Sequence, residues 1–298
     1  MHKFDVLVLG AGAAGLLCAI EAGKRGRRVA VLERADRIGK KILISGGGRC
    51  NFTNLYCRPE NFISANEHFA KSALARYTPA DFIALVENHR ISYHEKTLGQ
   101  LFCDRSAQDV IDLLESECRS AGVEIFLQSR ILEVQRTTEF IVRTESGEFR
   151  APAVVVATGG LSIPKMGATP FGYELARQFG LKIVETRPAL VSFVLASKDR
   201  SRYCDLAGVS AEVIARANHH AFREKMLITH HGLSGPAILQ ISSYWKKGQP
   251  IQIDLAPDRD IAQSVRESPA AQVVCRGTTS SARTAGSLFD ASRLGCPA

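Results

Sequence analysis

"FDVLVLGAGAAGLLCAI", residues 4–20, carries an unbroken apolar run into a cluster of glycines and alanines. A strand with one face in water alternates apolar and polar side chains, whereas a strand covered on both faces is apolar throughout, so residues 4–9 read as a buried parallel strand. Gly10, Gly12 and Gly15 follow at G-x-G-x-x-G spacing. From Ala13 to Arg25 the apolar Leu16, Leu17 and Ile20 fall on one helical face, and Gly23 and Gly26 close the helix. Residues 28–32 (RVAVL) form the next strand and deliver Glu33, 23 positions beyond the first glycine.

In that strand–helix–strand setting each glycine has a task. The first makes a tight turn, the second lets a pyrophosphate approach the backbone, and the third packs helix on strand. The phosphates meet free N–H groups and the positive dipole end at the helix N-terminus, and Glu33 is placed to accept hydrogen bonds from adenosine ribose hydroxyls. The competing reading is a glycine-rich turn that holds no ligand.

FAD and NAD share this fingerprint, and the residues after Glu33 separate them. An NAD domain continues with a further helix and strand. Here the chain runs instead into "GKKILISGGGRCNFTN", residues 39–54, which puts Lys40, Lys41 and Arg49 around three successive glycines. Bare backbone flanked by cations suits a long anionic ligand, and its position after the second strand favours FAD, whose ribitol and pyrophosphate it would cover.

Further along, residues 66–77, 79–90 and 106–121 read as helices, with Pro79 in the first turn and Ser106 as an N-cap. Short β runs at 123–127, 131–135 and 139–144 follow, and the last turns at Ser146-Gly147. "APAVVVATGG", residues 151–160, is a second buried strand that ends in glycines, so two glycine turns can converge on one cofactor.

Composition limits the function classes. The chain has 298 residues, is 45% hydrophobic and 23% charged, and contains no apolar run near the roughly 20 residues that cross a bilayer. We expect a cytoplasmic protein without membrane association. Eight cysteines show no C-x-x-C pair, which argues against a metal site or a disulfide framework. A net charge of +8 leans toward polyanionic partners.

The stretches "VLGAGAAGL", "GKKILISGGGRCNFTN", "VVATGGLSIPKMGATPFGYELARQFG" and "THHGLSGPAILQISSYW" together resemble the BaiN/RdsA-type family of NAD(P)/FAD-dependent oxidoreductases, in register over residues 4–255. The resemblance implies an α/β protein with a Rossmann-like FAD domain of glutathione-reductase type, a β-meander and an inserted β-rich domain. It implies NADPH or NADH as reductant and reduction of a carbon–carbon double bond, either uracil in ribosomal RNA or a steroid-like enone. Carried over by position, Gly10, Gly12, Ala14 and Gly15 would hold the pyrophosphate and Glu33 the ribose. Lys40, Lys41, Ser45, Gly46, Gly48, Arg49, Cys50 and Asn51 would line the flavin side, Thr158 and Gly159 would close over it, and Ile131 would offer backbone to the adenine. The implied domains are 1–190 for FAD, 191–255 for part of the insertion, and an irregular tail over 256–298. Family members continue beyond this point, so a truncation or frame shift near residue 275 is expected.

Three side chains are candidates for chemistry. Cys50 is placed to act as acid beside a flavin, and His230 and His231, read as neighbours on a strand, are candidate proton donors or a helix cap near Gly235-Pro236. Cys50 and Cys57 raise disulfide reduction as an alternative, although their C-x6-C spacing does not fit the C-x4-C pair on one helix that such enzymes use. A second alternative is an FAD-binding protein without turnover.

Overall fold

The computed structural model describes residues 1–258. The expected irregular tail beyond Asp258 lies outside the described residues. The chain divides into two units between Ile183 and Val184, a few residues before the expected boundary at 190.

The first unit is built on a four-stranded parallel sheet, in spatial order Ala153–Val156, Val6–Leu9, Val29–Leu32 and Glu124–Phe126. Its central strands are apolar because both faces are covered. Val8, Val29 and Val31 pack with Leu16, Ala19 and Ile20 of the first helix, Ala13–Lys24, and with Val110, Leu113 and Leu114 of the helix Gln108–Ser120. Leu7, Leu9, Ala30 and Leu32 point the other way, onto Val134, Val142 and Phe149. Those three belong to a second sheet in the order His2–Lys3, Gly147–Ala151, Phe140–Thr144, Ile131–Arg136, which forms the β-meander. The run at 124–126 thus joins the parallel sheet, while only the two runs after it enter the meander.

Two helix expectations need adjustment. Residues 66–77 are helical only over Lys71–Arg76, because Ser64 Oγ accepts from the Asn66 N–H and Asn66 Oδ1 from the His68 N–H, offering the backbone local partners before the helix starts. Gly26, at φ +73°, closes the first helix: its N–H donates to the Gly23 carbonyl and that of Arg27 to Ala22, a Schellman pattern. Gly23 has a different task, since a Cβ there would lie 2.5 Å from the Ala121 carbonyl oxygen. Pro79 does open its helix, Pro79–Asn88, behind a Thr78/Asp81 capping box.

A three-stranded antiparallel sheet (Asn51–Asn54, Gln100–Cys103, Tyr93–Glu95) completes the first unit. The second unit is a five-stranded sheet in the order Phe193–Val194, Gly232–Ser234, His220–Thr229, Ser210–Ala217, Gln252–Asp254, all pairs antiparallel. The helix Pro236–Ser242 buries Ala237, Ile238 and Ile241 in a core with Val213, Ala215 and Trp245. No helix among the described residues is long and apolar enough to cross a membrane.

Two outcomes follow from this packing. Alanine in place of a mid-helix glycine normally adds about 1 kcal/mol of helix stability. Gly23→Ala should instead lower stability by about 1–3 kcal/mol, because its methyl meets backbone of the neighbouring helix turn. A rise in the denaturant midpoint would contradict the contact. Glu117 joins the helices through Lys24 Nζ at 2.6 Å and His89 Nε2 at 2.9 Å, and these hydrogen bonds hold its carboxyl below the ordinary value of 4.5. A lowered carboxyl stabilises the fold above its unfolded value, and that stability is lost as pH falls through its folded value. Glu117→Gln should therefore unfold more easily at neutrality and show a flatter loss of melting temperature from pH 5 to about pH 3 than the parent.

Candidate functional site

The site begins where the first strand ends. Gly10 donates its N–H to the Leu32 carbonyl at 2.8 Å and turns at φ +106°, so close to the neighbouring strand that a Cβ would lie 2.6 Å from the Ala157 oxygen. Gly15 is more tightly fixed, its missing Cβ 1.9 Å from the Gly10 carbonyl oxygen. Gly12 differs from both. Its φ is −82°, which any residue adopts, and nothing lies within 4 Å of where its Cβ would stand. Neither conformation nor packing demands glycine there. The open space lies at the N-terminus of a twelve-residue helix that has no side-chain cap and no acidic residue in its first turn. Free N–H groups, a positive dipole end and bare backbone make an anion cradle.

Two cavities flank this turn. The smaller, about 310 Å³, is lined by Gly10, Glu33, Ile131 and Thr158. The larger, about 580 Å³, is lined by Gly12, Ala14, Lys41, Ser45, Cys50, Asn51 and Gly159. The two cavities and the anion cradle between them leave room for an elongated molecule with an anionic middle.

Glu33 carries a load in the protein itself. Its Oε2 accepts from the Ala11 N–H at 2.7 Å and its Oε1 from the Ala35 N–H at 2.8 Å, so the carboxylate ties the fingerprint turn to the second strand. Each oxygen keeps a further lone pair for a ribose hydroxyl. Gly39 adds another tie by donating its N–H to the Ala11 carbonyl at 2.9 Å.

The stretch 39–54 is more ordered than a bare loop. It forms a short helix, Lys40–Ile44, then a turn over Ser45–Gly48, then the strand Asn51–Asn54. Gly46, Gly47 and Gly48 all have positive φ, and a Cβ on Gly46 would lie 2.7 Å from both the Asn51 nitrogen and the Phe102 ring. Gly46 is glycine because it folds flat onto Phe102, whereas Gly47 and Gly48 have open space around them and only their positive φ favours glycine. Lys41 reaches toward the second glycine turn, its Nζ donating to Ser162 Oγ at 2.7 Å. Lys40 points elsewhere and pairs with Asp36 at 2.7 Å. Gly15, Lys40, Gly46, Gly48 and Arg49 line neither cavity.

Cys50 is buried at φ +50°, its thiol beside Ser45, and burial pushes that thiol up. Cys103, on the adjoining strand, is pushed up to about 12 by burial and then by Cys50. Cys57 lines the same cavity as Cys50, yet the two do not share a helix: the strand Asn51–Asn54 lies between them, about 13 Å of extended chain. Both are free thiols. His230 and His231 belong to the second unit and occupy the exposed turn between His220–Thr229 and Gly232–Ser234, not a strand. Thr229 Oγ1 bonds the turn, and Gly235 starts the helix Pro236–Ser242 with no side-chain cap, so neither histidine caps it. No cluster of metal-ligating side chains occurs among the described residues. Sequence reading passed over Tyr77, Phe82 and Phe52, which line the larger cavity from across the fold, and Arg34, which lines the smaller.

This fold and site define an FAD-dependent oxidoreductase of the Rossmann class. The chain belongs to the family described as HI0933-like protein Rossmann domain, which matches residues 4–287. It is 50% identical over 269 residues to a ribosomal RNA dihydrouridine synthase of Escherichia coli (strain K12), covering 90% of this chain and 67% of that protein. It is 44% identical to a protein of the same name from Haemophilus influenzae, covering 88% and 67%. A 3-dehydro-bile acid delta(4,6)-reductase of Clostridium scindens is 29% identical, covering 86% and 65%. The chain thus spans about two thirds of the length of these relatives.

Because Gly12 meets nothing in the protein, Gly12→Val should leave the melting temperature of the cofactor-free protein unchanged and abolish flavin retention. Flavin that co-purifies with this variant at parental stoichiometry would show that the pyrophosphate lies elsewhere.

Proposed function

We propose that this chain supports NAD(P)H-driven, FAD-dependent reduction of a carbon–carbon double bond, with uracil in ribosomal RNA as the substrate. The observation that carries the reading is the open cradle at Gly12 between two cavities sized for the ends of a dinucleotide. The RNA substrate is favoured by the net charge of +8 and by the higher identity to the ribosomal RNA dihydrouridine synthases than to the bile-acid reductase. A reaction on ribosomal RNA also assigns the protein to the cytoplasm.

Bound FAD supplies hydride to an electron-poor alkene carbon such as C6 of uracil. The protein's share is to hold the cofactor and to deliver a proton to the neighbouring carbon. In the cofactor role we place Gly12 and Ala14 at the phosphates, with Gly10 and Gly15 closing the turn that presents them, Glu33, Ile131 and Thr158 at the adenosine, and Lys41, Ser45, Asn51 and Gly159 along the remainder. Arg49 has no ion pair or side-chain hydrogen bond among the described residues but lines neither cavity, so we give it no cofactor contact. Cys50 is the acid we assign to the cavity wall, since burial keeps its proton on until a more basic carbon takes it. The steroid-like enone remains the second reading, motivated by the largely apolar wall that Leu17, Leu74, Phe82 and Leu114 give the larger cavity.

Reversed-phase analysis of released cofactor should show FAD, and anaerobic NADPH or NADH oxidation should accelerate with uridine-containing RNA. Acceleration by an enone steroid alone would move the assignment to the second reading, and bound FAD with no NAD(P)H oxidation would make the chain a binding protein without turnover. Cys50→Ala should keep FAD and lose about 10²–10⁴ of the RNA-dependent rate, the usual contribution of a positioned acid.

A further inference from the structure

One end of the second unit brings aromatic rings and lysines together. The long hairpin of this unit turns on two residues, Asn218 and His219, beyond the end pair Ala217 and His220. Asn218 stands at φ +54° and donates from Nδ2 to the Tyr244 carbonyl at 2.8 Å, which ties the hairpin end to the segment after the helix Pro236–Ser242. There the His220 ring stacks on Tyr244, with centroids 3.7 Å apart and planes at 26°, and the Phe222 ring is 5.7 Å from Tyr244. Tyr244 is half-buried but His220 is exposed, so the imidazole rests on a supported ring and still presents surface to solvent.

Lys246 and Lys247 follow directly after Tyr244 and Trp245 and are exposed. Their turn is fixed at both ends. Gln249 donates its N–H to the Lys246 carbonyl at 3.0 Å, and the buried Trp245 donates its indole Nε1 to the Gln249 carbonyl at 2.7 Å. Neither lysine has an ion pair or side-chain hydrogen bond among the described residues. Residues 213–223 and 236–253, which supply the hairpin end and this turn, contain no Asp or Glu. On the adjoining strand Gln252–Asp254, the acid Asp254 is opposite Ile214, three positions before the hairpin end.

Exposed lysines alone suit any polyanion. A supported ring beside them adds a partner for a flat base, which a nucleic acid carries at every phosphate and an acidic protein lacks. A duplex keeps its bases in its own stack, so the combination fits a single strand. We propose that His220, backed by Tyr244, forms with Lys246 and Lys247 a contact surface for single-stranded RNA, the ring taking a base and the lysines its phosphates. The inference rests on the ribosomal RNA reading above and assigns part of the grip on that substrate to the second unit.

The test is fluorescence anisotropy of an end-labelled, uridine-containing single-stranded RNA with the full chain at several salt concentrations. The proteins compared are the parent, the double variant Lys246→Ala with Lys247→Ala, His220→Ala and His220→Phe. The double variant should lower the slope of log affinity against log salt by about 1.4, because each phosphate contact on a single strand contributes about 0.7. His220→Ala should weaken RNA about tenfold at an unchanged slope, the size of one base–aromatic stack, and His220→Phe should restore it. Heparin, which has charge but no bases, should bind His220→Ala as it binds the parent and bind the double variant more weakly. Parallel loss of RNA and heparin by His220→Ala, or unchanged RNA binding in either alanine variant, would overturn the assignment. So would tighter binding of duplex than of single-stranded RNA by the parent. A parent that binds RNA as tightly as every variant removes this surface and leaves the ribosomal RNA reading standing, whereas a parent that binds no RNA, with NAD(P)H oxidation indifferent to it, sinks both.

Discussion

The packing of Gly15 beneath the Gly10 carbonyl sets the geometry on which the rest of the first unit depends. With a missing Cβ only 1.9 Å from that oxygen, the first helix sits closer to the strand end than any side chain would permit. Gly10 is pressed in turn against Ala157, so three features at the carboxyl end of the parallel sheet (strand end, helix start and second glycine turn) meet at backbone distance. Substitution at Gly10 or Gly15 should cost the fold, whereas substitution at Gly12 should cost the ligand. One motif therefore contains two kinds of glycine. The protein needs Gly10 and Gly15 to close the turn, and it needs Gly12 only if something outside the protein occupies the space.

The same economy recurs with charge. Glu33 lies where an acid is wanted for a ribose, but its carboxylate first accepts two backbone N–H groups and so locks the turn and the second strand to each other. A site whose wall is also a structural tie is held in shape before the ligand arrives, which reduces what binding must organise. Lys41 does similar work on the other side, its contact with Ser162 joining the short helix after Glu33 to the segment after the second glycine turn.

The core fold was legible in the sequence because its signals are local. An apolar run with no alternation announces a strand covered on both faces, and Val8 and Leu9 bear this out by packing into different cores. The glycine fingerprint, the second strand and Glu33 follow at fixed spacing. Less legible were features decided by distant partners. Nothing in "SGGGRCN" reveals that Gly46 must clear Phe102, or that Lys40 will turn to Asp36 while its neighbour Lys41 faces the cavity. Adjacent residues on a helix diverge by about 100°, so two lysines that read alike acquire unlike surroundings. His230 and His231 misled for a related reason: a ten-residue strand ends one position before them, and the hairpin turn removes the opposite-face geometry that a strand would impose.

Some of the cations are held in ion pairs and others are not. Lys24 is matched by Glu117, Lys40 by Asp36, Arg143 by Glu133 and Glu148, and Arg223 by Glu212 and Asp258. Paired charges contribute little field at a distance, because each is offset by its partner within a few ångströms. Arg34 and Arg49 have no acidic partner among the described residues, and Lys41 has only a hydroxyl. Of these three, Lys41 lines the larger cavity with Gly12 and Arg34 the smaller, whereas Arg49 lines neither. Lys41 and Arg34 add positive charge on either side of the bare helix N-terminus at Gly12. Charge for a second anion, the RNA of the proposed reaction, is available from exposed cations with no ion pair among the described residues, such as Arg27, Lys71 and Arg90.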